Sequence, residues 1–387
     1  MKKRKILFVI NRFNVGGVEK SLLGLLNALP LHRYEIHVGV IEATGGFLPF
    51  VPDGVRVFEL PALATNRDIL FRRMGALKDV LRRGRFFQAA KMVALYSVAQ
   101  LSRTLIPFYN GFIIDDTTMP EYDVAVAYQG PSELIDYYVS HYVKAKRKIG
   151  WIHFDIDRFY VRDKTVRLSY SAYDNIMIVS QKAKEQFDLR FPEFMDRTEV
   201  MLNVIDRESN LLLAQEYTPG GALSGCIYLV TVGRVCSQKA QDKALEAANI
   251  LKSRAVNFHW TFVGGGEIDR MQSMAKRLGV DDHVTFTGAC PNPYPYMKYC
   301  DVYVQPSRYE GFCIAIGEAK LFGVPIVATD FVGAHEQLHD VPNSTIIPSP
   351  DPAMIADAIQ KAAEMGKIEP KAVGIPPQIG RLVEIFG

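Results

Sequence analysis

The sequence predicts an α/β protein of two Rossmann-like domains whose parallel sheets face each other across a cleft. Three observations support this. At 387 residues the chain is too long for one ordinary core and suits two domains of about 150 to 200 residues each. Short apolar, β-branched runs recur along it, separated by stretches of helical periodicity. Near-continuous apolar strands alternating with helices are the pattern of parallel sheets covered on both faces. Each half also begins alike, with strand, polar loop and helix in KILFVINRFNVGGVEKSLLGLL and again in YLVTVGRVCSQKAQDKALEAANIL. With 48% apolar and 22% charged residues the composition is globular, since a disordered chain would be poorer in apolar groups.

In chain order, MKKRKILFVINRF has the opening of a signal peptide, but its apolar run stops after Ile10 at Asn11 and Arg12, so it reads as a first strand. Val18, Leu22, Leu25, Leu26 and Leu29 then mark a helix. EIHVGVIE and VRVFEL follow as strands, and DVAVAY, KIGWIH and NIMIVS complete the first set. The Pro/Gly-rich QEYTPGGALSG, residues 215–225, reads as a linker. Beyond it YLVTVG, HWTFVG, HVTFTG, DVYVQP and PIVATD form the second set, and Ala244, Ala247, Ala248 and Leu251 its first helix. The expected units are 1–215, 226–365 and a segment 366–387 that packs back on the first domain. Five cysteines, all in the second half and without Cys-x-x-Cys spacing, argue for reduced thiols rather than a disulfide or zinc framework. No stretch approaches the roughly 18 apolar residues of a spanning helix.

In such sheets ligands bind beyond the carboxyl ends of the strands, and the chemistry-bearing residues fall there. After DVYVQP the chain turns through Tyr309–Phe312 into a helix starting near Cys313, with Glu310 in the loop and Glu318, separated from it by seven residues, in the helix. The loop amides and helix N-terminus favour an anion, so the carboxylates suit sugar hydroxyls better than phosphate. By itself such a pair reads as a helix cap and a loop charge. Arg234 and Lys239 share the loop VGRVCSQK, a fork and a mobile point charge matched to a diphosphate. FVGGGE ends a strand in Gly264, Gly265 and Gly266, which permits close backbone approach but is not a dinucleotide fingerprint. Gly16 and Gly17 precede the first helix, with Glu19 in its first turn, where a phosphate or sugar could approach. His153 follows a strand end in GWIHFDIDRF, a stretch that also contains Asp155-Ile156-Asp157.

Taken together, NVGGVEKSLLGLL, YDNIMIVS, NVID, VGRVCSQK, FVGGGE, VTFTG, YEGFCIAIGEAKLFGVPIVATD and GAHEQL resemble the retaining GT-B glycosyltransferases of family 4 over most of the chain. The resemblance implies a sugar transfer from a nucleotide diphosphate sugar, a UDP-sugar being expected, to a glycan or lipid-linked acceptor in cell-surface polysaccharide or glycolipid synthesis. Glu310 would contact the donor sugar, Glu318 the ribose hydroxyls, Arg234 and Lys239 the diphosphate, and Gly16 and Gly17 the phosphates from across the cleft. Gly264, Gly311, Phe312, Cys313 and Ile314 would line the donor site, and His153 would face the sugar from the first domain. GT-B enzymes generally need no metal, so Asp155-x-Asp157 is not expected to bind one, and no cofactor is implied. Ala240 and Cys313 stand where the family commonly has glycine, which puts the identity of the donor in question. A nucleotide-sugar epimerase of the same architecture and a non-catalytic nucleotide-sugar-binding protein are the alternatives.

The segment 66–104 contains nine Lys or Arg against two Asp, a local +7 in a chain of net +3. Interleaved Phe71, Leu77, Leu81, Phe86, Phe87, Met92 and Leu95 make it amphipathic and suited to an anionic lipid surface. A solvated helical cap is the plainer reading. No nucleic-acid motif accompanies the charge. The expected place is the cytoplasm, peripheral on the inner face of the membrane.

Overall fold

The computed structural model describes residues 3–115, 118–158, 160–220, 225–370 and 378–387. The first domain is a seven-stranded sheet in the order β3-β2-β1-β4-β5-β6-β7, every pair parallel. Its strands are β1 (Arg4–Ile10), β2 (Tyr34–Val40), β3 (Arg56–Glu59), β4 (Tyr122–Gly130), β5 (Ala145–Ile152), β6 (Asn175–Ile178) and β7 (Thr198–Val200). The second is six-stranded and parallel, in the order β10-β9-β8-β11-β12-β13. It comprises β8 (Ile227–Val232), β9 (Phe258–Val263), β10 (Val284–Phe286), β11 (Val302–Gln305), β12 (Ile326–Thr329) and β13 (Ser344–Ile347). This is the GT-B architecture.

Parallel strands have helices on both faces, so both faces are apolar. Ile6, Phe8 and Ile10 of β1 enter one core cluster and Leu7 and Val9 the other, all fully buried. The first helix, Gly17–Ala28, buries Val18, Leu22, Leu25 and Leu26 at helical spacing. Its Gly24 has functional meaning for the fold: a Cβ there would lie 2.5 Å from the Val204 carbonyl, so the helix seats directly on the NVID segment. Ser21 Oγ donates to Asn203 Oδ1 at 2.6 Å, and Asp206 accepts from Asn27 and caps the connecting helix Arg207–Leu213.

Two strands escaped the sequence reading. β7 and β13 are sheet edges of three and four residues with mixed burial, and so lack an apolar run. The linker differs too. Leu213 and Ala214 already pack in the second domain's core, ahead of the Pro/Gly segment; residues 221–224 of that segment lie outside the described residues. Of the segment 366–387, residues 371–377 lie outside them. The helix Gln378–Phe386 packs against the first sheet, with Leu382 and Phe386 fully buried and Phe386 edge-on to Phe8 at 6.1 Å.

Candidate active site

The carboxyl ends of the two sheets face each other, and most of the residues singled out from sequence converge there. After β11 the chain turns into the helix Ile314–Lys320, and the loop folds Glu310 inward to 7% exposure. Its Oε1 accepts from Ser307 Oγ at 2.7 Å and pairs with Lys239 Nζ from the loop after β8. Burial is the largest single influence and opposes the Lys239 charge, but Glu310, with Cys313 and Cys236 beside it, raises the ammonium pKa overall. Ser307 is itself held by Gln305 Nε2 at 2.9 Å, so the carboxylate sits at the end of a relay from the core of β11. Arg234, on the same loop as Lys239, is exposed and makes no ion pair within 4 Å among the described residues. Its charge acts on Glu19 of the first domain without forming an ion pair with it.

The glycines have distinct jobs. Gly264, with φ 150°, approaches the Gly233 carbonyl so closely that a Cβ would lie 2.1 Å from it; its requirement is loop-to-loop contact that fixes the Arg234 loop. Gly311 has the same role between domains, since a Cβ there would lie 2.3 Å from the His153 carbonyl. Gly17 is exposed and open, its nearest neighbour across the cleft being Ile314. At Gly16 a Cβ would collide with the Glu19 carboxylate, which folds back over the helix start. Glu19 is 6% exposed, and burial raises its pKa to about 7 although Arg234 and Arg12 pull it down. Phe312 is buried, its carbonyl accepting from Gln337 Nε2.

His153 lies tilted against Tyr128, ring centroids 4.6 Å apart, and Tyr128 OH bonds Ser21 on the first helix. The Tyr128 carbonyl accepts from the imidazole, while Nε2 is buried with no partner. Nδ1 is therefore the donor, and Nε2 is left as an acceptor. Burial lowers its pKa to about 3, so the ring is neutral throughout the working range. Asp155 accepts from the Asp157 amide at 2.9 Å, an Asx turn within one loop. Among the described residues no three His, Cys, Asp or Glu are grouped to hold a metal ion.

The two departures from glycine are now explained in part. Ala240 (φ 55°) and Cys313 (φ 60°) each occupy the left-handed region directly before a helix, where a side chain costs about 1 kcal/mol or more. Ala240 is fully buried and presents nothing to the cleft. Cys313 lies beside Glu310 and Lys239, and burial pushes its thiol up to about 12.

Sequence reasoning missed Lys20. From the first helix its Nζ reaches Glu318 Oε1 in the other domain at 2.8 Å, and Tyr294 OH donates to the same oxygen at 3.0 Å. Glu318 is 3% exposed. The signal was present in GGVEK, where Lys20 follows Glu19 in the first turn, but nothing local indicates that it crosses a cleft.

Residues 221–373 match the family Glycosyl transferases group 1. A GDP-mannose-dependent alpha-(1-6)-phosphatidylinositol monomannoside mannosyltransferase of Mycolicibacterium smegmatis is 32% identical over 155 residues, 36% of this chain and 41% of that one. An uncharacterized glycosyltransferase of Haemophilus influenzae is 21% identical over 327 residues, covering 83% of this chain and 79% of its own. Across three of the curated relatives the match spans between 32% and 41% of their length. HepE from Anabaena, solved with UDP-glucose, superposes with a TM-score of 0.68 at 17% identity over 99% of this chain and 100% of that one. The superposition shows the fold, which is GT-B. The second domain is the part of the chain that matches the glycosyl transferases group 1.

Proposed function

We propose that this chain is a metal-independent, retaining glycosyltransferase that moves a sugar from a UDP-sugar to a glycan or lipid-linked acceptor. The observation that carries the reading is the loop after β8, which brings an unpaired Arg234 and the Glu310-bound Lys239 to the mouth of the cleft on a group 1 glycosyltransferase domain. Lys239 and Arg234 would bind the diphosphate and stabilise the charge that develops on it as the glycosidic bond breaks, the preorganised electrostatics that dominates many such steps. Glu310, already oriented by Ser307 and Lys239, would accept from hydroxyls of the donor sugar, and Glu318 from those of the ribose. His153 cannot serve as a general base of useful strength with its pKa near 3; its free Nε2 would accept one sugar hydroxyl and fix the ring. The leaving diphosphate would then take the acceptor proton on the same face.

A UDP donor is supported by the UDP and UDP-glucose complexes of HepE, while the mannosyltransferase relative is GDP-mannose-dependent. A panel of UDP-, GDP- and ADP-sugars, assayed for binding and for slow hydrolysis without acceptor, decides between them. Turnover of none would sink the reading, and free epimerised donor would replace it with an epimerase. Transfer is expected to persist in excess EDTA. Inactivation by EDTA, reversed by Mn²⁺, would place a metal at Asp155 and Asp157.

The acceptor side is proposed to meet an anionic membrane. In the helices Arg73–Arg82 and Phe86–Ser102, joined at Gly84, residues Leu81 to Phe87 form an unbroken exposed run of basic and apolar side chains. Phe86 is 70% and Phe87 88% exposed. Among the described residues no helix is long and apolar enough to cross a membrane.

A further inference from the structure

Lys20 and Glu318 form the one ion pair among the described residues that joins the first sheet domain to the second. Both are largely withdrawn from water, with side-chain exposures of 19% and 4%. The Lys20 ammonium lies 4.3 Å from the centre of the Tyr294 ring, and the Tyr294 hydroxyl shares its carboxylate oxygen. Around this pair the domains touch closely, at Gly311 against His153 and at Gly317, where a Cβ would lie 2.3 Å from Ile205 Cδ1. The cleft is thus closed with Lys20 seated on the carboxylate assigned to the nucleoside.

An ammonium has three N–H donors and no acceptor, and a ribose diol likewise presents O–H donors to a carboxylate. Both satisfy Glu318 in the same way, and one oxygen already accepts two bonds. We propose that Lys20 is an intramolecular substitute for the donor's ribose: in the free protein its ammonium occupies Glu318 and holds the cleft shut, and an arriving nucleotide displaces it. The inference rests on the reading of Glu318 as the ribose-binding carboxylate. Its consequence is that nucleotide affinity is lowered by the fraction of molecules that are clasped, and removing the clasp raises it.

The test is a titration with UDP, using wild type, Lys20→Met and Lys20→Arg, with small-angle scattering of each ligand-free protein. Lys20→Met removes the charge at similar length, and is expected to bind UDP roughly 5- to 20-fold more tightly and to have a larger radius of gyration. Lys20→Arg keeps the pair and should behave as wild type. Weaker or unchanged UDP binding by Lys20→Met overturns the proposal, because Lys20 would then be a nucleotide contact or a bystander. Should Lys20→Met not fold, Lys20→Gln carries the same comparison. If wild type binds none of UDP, GDP and ADP, the ribose reading of Glu318 fails first and the substitute role with it. If wild type binds UDP and the variants match it, only the substitute role fails.

Discussion

Arg234 is the side chain whose removal tests the site most directly, because it forms no ion pair within 4 Å among the described residues. Arg234→Ala is expected to fold normally and to lower kcat/KM by about 10- to 150-fold, the loss of one charge-assisted contact of roughly 1.5 to 3 kcal/mol; wild-type turnover would refute the diphosphate assignment. Glu19 gives a pH signature. Its pKa is about 7 in the folded protein against an ordinary 4.5, so between those values the folded state binds more protons than the unfolded one. Stability therefore falls as pH rises from 4.5 to 7 and stays lower above it. Glu19→Gln should cancel this share, on the order of 3 kcal/mol, in urea unfolding compared at pH 5 and 8. Ala240→Gly, at φ 55°, should raise the unfolding midpoint, by about 0.5 to 1 kcal/mol in stability. The carboxylates and cations of the second domain were legible because each lies beside its own strand end. Lys20 was not, since its partner is Glu318 in the other domain, and a pairing of that kind has no local pattern.

At the level of elements, the long apolar strands and the first helix of each domain were readable because periodicity and burial coincide in them. β7 and β13 were not, for an edge strand needs neither an apolar run nor alternation. The basic segment divides in a way that composition hides. Met92 is buried and Leu77 and Leu95 pack on the core, whereas Phe71, Leu81, Phe86 and Phe87 are exposed. Arg73 is likewise turned inward over Phe108, so the membrane test uses the exposed Arg72, Arg82, Arg83 and Arg85. Changing these four to Glu should abolish co-sedimentation with anionic liposomes at low salt and leave donor hydrolysis intact, as each basic residue near such a surface contributes about 1 kcal/mol. Equal sedimentation of variant and wild type would leave the segment a solvated cap.

For the molecule as a whole, two domains were expected from length and from the repeated strand-loop-helix openings. Their closed approach was not, because it depends on glycines at 311 and 317 whose need for close contact is visible only in three dimensions. Deleting residues 378–387 should destabilise the first domain, since Ile379, Leu382, Ile385 and Phe386 leave its core and each such side chain contributes roughly 1.5 to 3 kcal/mol. Hydrogen exchange should accelerate in β1 and β2 and not in β8 to β12. That same helix has a mechanical meaning. The chain passes from the first domain to the second after Asp206, and its last helix, Gln378–Phe386, lies back on the first sheet, so covalent connectivity joins the two bodies twice. A single tether would let one body swivel freely about the other. A second connection restricts that swivel, because a rotation that relaxes one crossing must draw on the other.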